Sequence, residues 1–135
     1  MRTMITTQFL PLLLLAAAPV SAQGLTVPMG ETWMFRIDRG QPARARKVEP
    51  TTTPRPGEIR LTLRSMMGTT MTLIGNSPRS YTFRATLIGA GGKEIAAKSC
   101  ALPPNNRLAF ESWPQTARAV RVGDFKVTRD DTVCP

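Results

Sequence analysis

The sequence predicts an all-β fold, a small antiparallel β-sandwich of about seven to eight short strands, with a small β-barrel as the alternative. Three observations carry this expectation. Apolar residues recur at every second position in segment after segment, and no window sustains a helical stripe. Gly, Pro and Asn punctuate the chain at intervals that suit short strands. The alternation is one-sided, which marks antiparallel sheets with one wet face.

The elements follow in chain order. Residues 1–22 read as a cleaved signal peptide: Arg2 supplies a positive start, residues 9–18 are an apolar run broken only by Pro11, and Val20-Ser21-Ala22 offers the small residues a signal peptidase reads. The run is about ten residues long, whereas a spanning helix needs roughly 20. No Cys stands at the cleavage site to take a lipid. The mature chain is then a single domain, residues 23–135, exported to the periplasm or beyond the cell, with no transmembrane segment after processing. Without Arg2 it carries 17 basic residues against 9 acidic, a balance of +8.

Residues 32–38 place Trp33, Phe35 and Ile37 on one face and Arg36 on the other. Segment 39–57 reads as a loop within the domain: a basic stretch with a short strand at 45–48, then a Pro-rich extended connection. Residues 58–64 alternate cleanly, with Ile59, Leu61 and Leu63 in and Arg60, Thr62 and Arg64 out. Residues 70–74 put Met71 and Leu73 together, and 80–88 put Tyr81, Phe83, Ala85 and Leu87 opposite Thr82, Arg84 and Thr86. Residues 94–98 offer Ile95 and Ala97. If Leu87 pairs with Ile95, Ala90-Gly91-Gly92 becomes a three-residue hairpin loop whose last position wants a left-handed residue, which Gly92 supplies. Residues 107–112 offer Leu108 and Phe110 as inward residues. Residues 117–122 and 124–128 close the chain, and a bulge at Gly123 reconciles the even parity of Val120 and Val122 with the odd parity of Phe125 and Val127. The core expected from these faces is Trp33, Phe35, Ile59, Leu61, Leu63, Leu73, Tyr81, Phe83, Leu87, Ile95, Phe110, Val120, Val122 and Phe125.

Composition excludes much chemistry. The 135 residues contain no His and two Cys, so His-ligated metals and Ser-His or Cys-His triads are out. Four-thiolate zinc and iron–sulfur sites are out as well. In an oxidising compartment Cys100 and Cys134 pair as a structural disulfide, because their spacing is not that of a Cys-x-x-Cys redox pair. One such bridge in a small exported sandwich resembles the immunoglobulin architecture in outline, which carries no function.

Three candidate sites remain. Arg36, Arg39, Arg44, Arg46 and Lys47 crowd into twelve positions, and Arg60, Arg64 and Arg84 stand on outward faces, making one basic surface if their strands share a sheet. Guanidinium forks suit phosphate and carboxylate. An exported protein meets these on lipid head groups, polysaccharide and peptidoglycan. Nucleic acid fits less well, since the aromatics that would stack on bases point inward. Met66, Met67 and Met71 form a weaker alternative, a thioether copper site. For catalysis, Ser99 and Lys98 are adjacent and face opposite ways, and Asp130-Asp131 is the only close carboxylate pair. The expected function is thus a non-enzymatic binding or accessory protein of the cell envelope, without a cofactor. It contacts an anionic component through the Arg-rich face; the alternatives are a periplasmic copper carrier and a subunit or inhibitor docking on another exported protein.

Overall fold

Nine strands form among the described residues, 23–130, 132 and 134, of a computed structural model. The expected signal peptide, residues 1–22, lies outside the described residues. The strands are β1 Leu25–Pro28, β2 Thr32–Asp38, β3 Gln41–Val48, β4 Ile59–Ser65, β5 Thr69–Gly75, β6 Ser80–Ile88, β7 Glu94–Ala97, β8 Leu108–Trp113 and β9 Ala119–Thr128. They make two antiparallel sheets, a four-stranded one ordered β1-β9-β6-β7 and a five-stranded one ordered β3-β2-β4-β5-β8. Two separate sheets make this a sandwich rather than a barrel.

Both inner faces supply the core. The four-stranded sheet contributes Val27, Phe83, Ala85, Leu87, Val120, Val122 and Phe125, and the five-stranded sheet Phe35, Ile59, Leu61, Leu63, Met71, Leu73 and Ala109. Phe125 joins the layers. It stacks on Phe83 at 5.3 Å between centroids and meets Phe35 of the facing sheet at 5.7 Å and Tyr81 edge-on at 6.2 Å, geometries that aromatic quadrupoles favour.

Two expectations hold in detail. Leu87 pairs with Ile95, and Ala90–Gly92 is the connecting loop, with Gly92 at φ 81°. Next to Gly123, Asp124 and Phe125 of β9 together face Phe83 of β6, a two-against-one bulge whose first residue has φ 53°. The strands expected at 117–122 and 124–128 are therefore one bent strand.

Three expectations are corrected. The short strand expected at 45–48 within segment 39–57 is longer: Arg39 and Gly40, at φ 54° and 82°, form a two-residue turn that starts β3, an eight-residue edge strand. Its Pro42 is tolerated because an edge strand leaves one row of N–H groups unpaired. Second, β1 adds an edge strand beside β9 that a short segment between Gly24 and Gly30 does not announce. Third, β8 faces the other way. Its register sets Ala109 against Leu73 and Glu111 against Met71, so Phe110 is 61 % exposed and Leu108 55 %. At the far end of β9, Val127 is exposed as well.

The order β3-β2-β4 dictates one further feature. To pass from β3 to β4 the chain must cross β2, and residues 49–58 do so on the outer face of the sheet. Met34 of β2 points to that face, between Arg46 and Arg60 in register, yet is fully buried because this strap covers it. Pro54 of the strap is buried too.

Cys100 and Cys134 are bonded, with Cα atoms 4.1 Å apart. The chain leaves β7 at Ala97, so Cys100 does not continue that strand's outer face; its N–H donates to Glu111 Oε2 at 2.9 Å. Among the described residues no helix is long and apolar enough to cross a membrane.

Candidate functional site

Period-two alternation places Arg36, Arg46, Arg60 and Arg64 on the outer face of the five-stranded sheet, where the strap runs. The strap is fastened largely by these arginines. Arg46 donates to both Glu58 carboxylate oxygens, at 2.6 and 3.4 Å, and Glu58 also accepts from the Arg55 N–H at 2.9 Å. Arg60 donates to Thr52 O at 2.6 Å and Arg36 to Pro56 O at 3.1 Å, while Asn76 Nδ2 donates to Pro54 O at 2.9 Å. Only 3 % of Glu58 is exposed. Its hydrogen bond from Arg46 holds the carboxyl below the usual carboxylate range, against the opposing effect of burial; the Arg55 N–H and the charges of Arg46 and Arg36 push the same way as the Arg46 bond.

The chemical consequence is that the guanidinium groups of Arg36, Arg46 and Arg60 are held in place. Arg46 is neutralised by Glu58. Arg36 and Arg60 are held by neutral carbonyl oxygens, so their charge remains. Arg64, Arg39 in the β2–β3 turn and Arg44 in a β3 bulge at φ 53° are exposed and have no acidic partner among the described residues. Lys47 pairs with Glu31 at 3.5 Å along the same edge strand. Residues 36–64 hold eight basic residues against three acidic. Arg55, exposed on the strap, belongs to this set; a strand pattern gives no means of finding it, because the strap has no period.

Arg84 does not join them. It stands on β6 in the other sheet, whose outer face points away from the strap, because the outer faces of a sandwich look in opposite directions. There it is 83 % exposed and lies 3.6 Å from Asp124. Arg121 and Lys126 share that face, where Arg121 is paired with Glu94 at 2.7 Å.

The methionine candidates separate. Met71 is fully buried in the core, whereas Met66 and Met67 sit at the tip of the β4–β5 hairpin, with Met67 fully exposed, so the three thioethers do not share one environment. Ser99 donates its hydroxyl to Phe83 O at 3.3 Å, and Lys98 is exposed. Asp130 accepts from the Thr132 N–H and hydroxyl, and Asp131 lies outside the described residues. Among the described residues no group of three acidic, His or Cys side chains is placed to hold a metal ion.

A feature that the sequence pattern did not reveal is a cavity of about 220 Å³ at one end of the sandwich, lined by Arg36, Ile37, Gly57, Ile59, Gly75, Ser77, Arg79, Tyr81 and Leu102. Its members come from four strands and three connections, which only the tertiary fold brings together. The chain matches no family model, no curated protein and no solved structure, so site geometry carries the functional reading.

Proposed function

We propose that the protein is an exported, non-enzymatic domain of the cell envelope that binds an anionic envelope component through the strapped face of its five-stranded sheet. The observation that carries this is the strap itself. Its carbonyl bonds to Arg36 and Arg60 hold two guanidinium groups on the outer face without neutralising them; Arg64 stands towards the other end of that face, Arg39 in the β2–β3 turn and Arg44 in the β3 bulge, and these three have no acidic partner among the described residues. Exposed charges interact over about 8 Å at physiological salt, so Arg36 and Arg60, held near each other, attract an anion together, and the charges spread along the rest of the face suit an extended polyanion or a surface. Export is supported by the apolar run before Val20-Ser21-Ala22 and by the Cys100–Cys134 bridge, a bond typical of oxidising compartments. A non-enzymatic role is supported by the lack of His, which leaves no Ser-His or Cys-His triad.

The test is co-sedimentation of the mature protein with vesicles containing an anionic phospholipid, with neutral vesicles and with an anionic polysaccharide, at low and high salt. Salt-sensitive binding to an anionic surface is expected. Replacing Arg39, Arg44 and Arg64 by Gln weakens it at unchanged thermal midpoint, since these side chains do not fasten the strap; Arg84→Gln, on the opposite face, leaves it unaltered. Equal, negligible binding to all three surfaces sinks the reading.

A second reading, a subunit docking on another exported protein, is supported by Leu108 and Phe110, which lie exposed on the edge strand β8. Salt-resistant co-purification of an envelope protein, lost in Phe110→Ser, would select it.

A further inference from the structure

The cavity at the end of the sandwich is separate from the broad basic face apart from Arg36, and its chemistry is more specific. Its walls are apolar: Ile59 and Leu102 are almost wholly buried, and Ile37 and the Tyr81 ring are half-buried. Its polar groups are two guanidiniums, a phenol and the Ser77 hydroxyl, and no acidic side chain lines it.

Glycine and hydrogen bonding shape it. The Arg36 guanidinium donates to Pro56 O and lies over Gly57, where a Cβ would come within 2.6 Å of Nη1. Any side chain there would displace Arg36 from the rim. At Gly75 a Cβ would meet Leu102 Cδ2 at 3.3 Å, so this glycine lets Leu102 form the wall. Leu102 is in turn locked to Tyr81 by two backbone hydrogen bonds, of 2.7 and 3.1 Å. Arg79 is set by the turn before β6, where its N–H donates to Ser77 Oγ at 3.1 Å. The Tyr81 ring is fixed edge-on against Phe125, and its hydroxyl makes no hydrogen bond among the described residues.

We propose that this cavity binds a small carboxylate with a short apolar body, its head group held by Arg79, Arg36 and the Tyr81 hydroxyl and its body laid against Ile37, Ile59 and Leu102. A carboxylate accepts several charge-assisted bonds and matches a guanidinium fork. The volume, about 220 Å³, is below that of sites for drug-sized ligands and suits a short ligand.

The experiment is methyl and backbone NMR of the mature protein titrated with hexanoate, with hexanol as the neutral analogue. Hexanoate is expected to shift the Ile37, Ile59 and Leu102 methyl signals saturably, with hexanol about tenfold weaker, the loss expected when a charge-assisted bond is removed. Arg79→Gln weakens hexanoate about tenfold. Tyr81→Phe, which keeps the ring on Phe125, weakens it a few-fold. Lys93→Gln, in the distant β6–β7 turn, changes nothing. Absence of saturable shifts at these three methyls overturns the proposal, and so does equal affinity for hexanol or indifference to Arg79→Gln. Neither Arg79 nor Tyr81 belongs to the proposed vesicle-binding set, so failure here is distinguishable from failure of the envelope reading.

Discussion

At the scale of single residues, Gly92 and Glu111 show two different costs. A Cβ on Gly92 would meet nothing within 4 Å, so its φ of 81° is the whole reason for glycine there. Gly92→Val is expected to lower stability by about 1 kcal/mol or more, and Gly92→Asn by less, because Asn tolerates the left-handed region. Thermal midpoints check this; a Gly92→Val variant that melts with the wild type would reject the strain argument. Glu111 is an inward-facing carboxylate beside Met71, and burial pushes its pKa above the usual range, partly offset by the Cys100 N–H. A group whose folded pKa is raised contributes stability that is fully present below its unfolded pKa and lost as pH rises through the folded value. Glu111→Gln lacks that loss. Denaturant titrations at several pH values are expected to show the variant gaining on the wild type as pH rises from acid to neutral, and a pH-independent difference would contradict this.

At the scale of elements, the strap is the segment to test. Its anchor Glu58 is nearly buried and accepts from Arg46 and from the Arg55 N–H. Glu58→Gln weakens both bonds and is expected to destabilise by about 1–2 kcal/mol, in the range for a buried polar group left under-satisfied. The sign of the pH effect is opposite to that of Glu111. The folded pKa of Glu58 is depressed, so its contribution is present above the unfolded pKa and is lost as pH falls through the folded value. Hydrogen exchange of the Gly57 and Glu58 amides, which bond to Asn76 O and Arg55 O, reports strap opening directly. Exchange in Glu58→Gln no faster than in the wild type would show that the strap does not depend on this anchor.

At the scale of the whole molecule, the Cys100–Cys134 bridge ties the tail to the side of the sandwich where β7 and β8 are edge strands. Closing a loop with sequence separation 34 stabilises by about 3–4 kcal/mol in the chain-entropy model. Replacing both cysteines by Ser is expected to lower the unfolding free energy by about that amount. Denaturant unfolding measures it, and a change below about 1 kcal/mol would mean that the tail is held by other contacts.

How much of this was legible in the chain follows from the range of the forces involved. The alternation of Ile59, Leu61 and Leu63, the Gly92 loop, the bulge beside Gly123 and the pairing of the only two cysteines are local or combinatorial, so the sequence by itself determined them. The direction of β8 was not legible. Leu108 and Phe110 alternate with Ala109 and Glu111, and alternation says that two faces differ without saying which is inside; pairing with Leu73 and Met71 of β5 decided that. The fate of the arginines was equally hidden. Arg84 and Arg60 read alike along the chain, but membership of different sheets sends them to opposite faces, and the crossing of β2 turns Arg46 and Arg60 into fasteners. The end cavity joins Arg36 to Arg79 and Tyr81, which lie far apart along the chain. Only the tertiary structure decided those relations, because a period of two orients a side chain relative to its own strand, while the partners that strand acquires come from the packing of the whole sandwich.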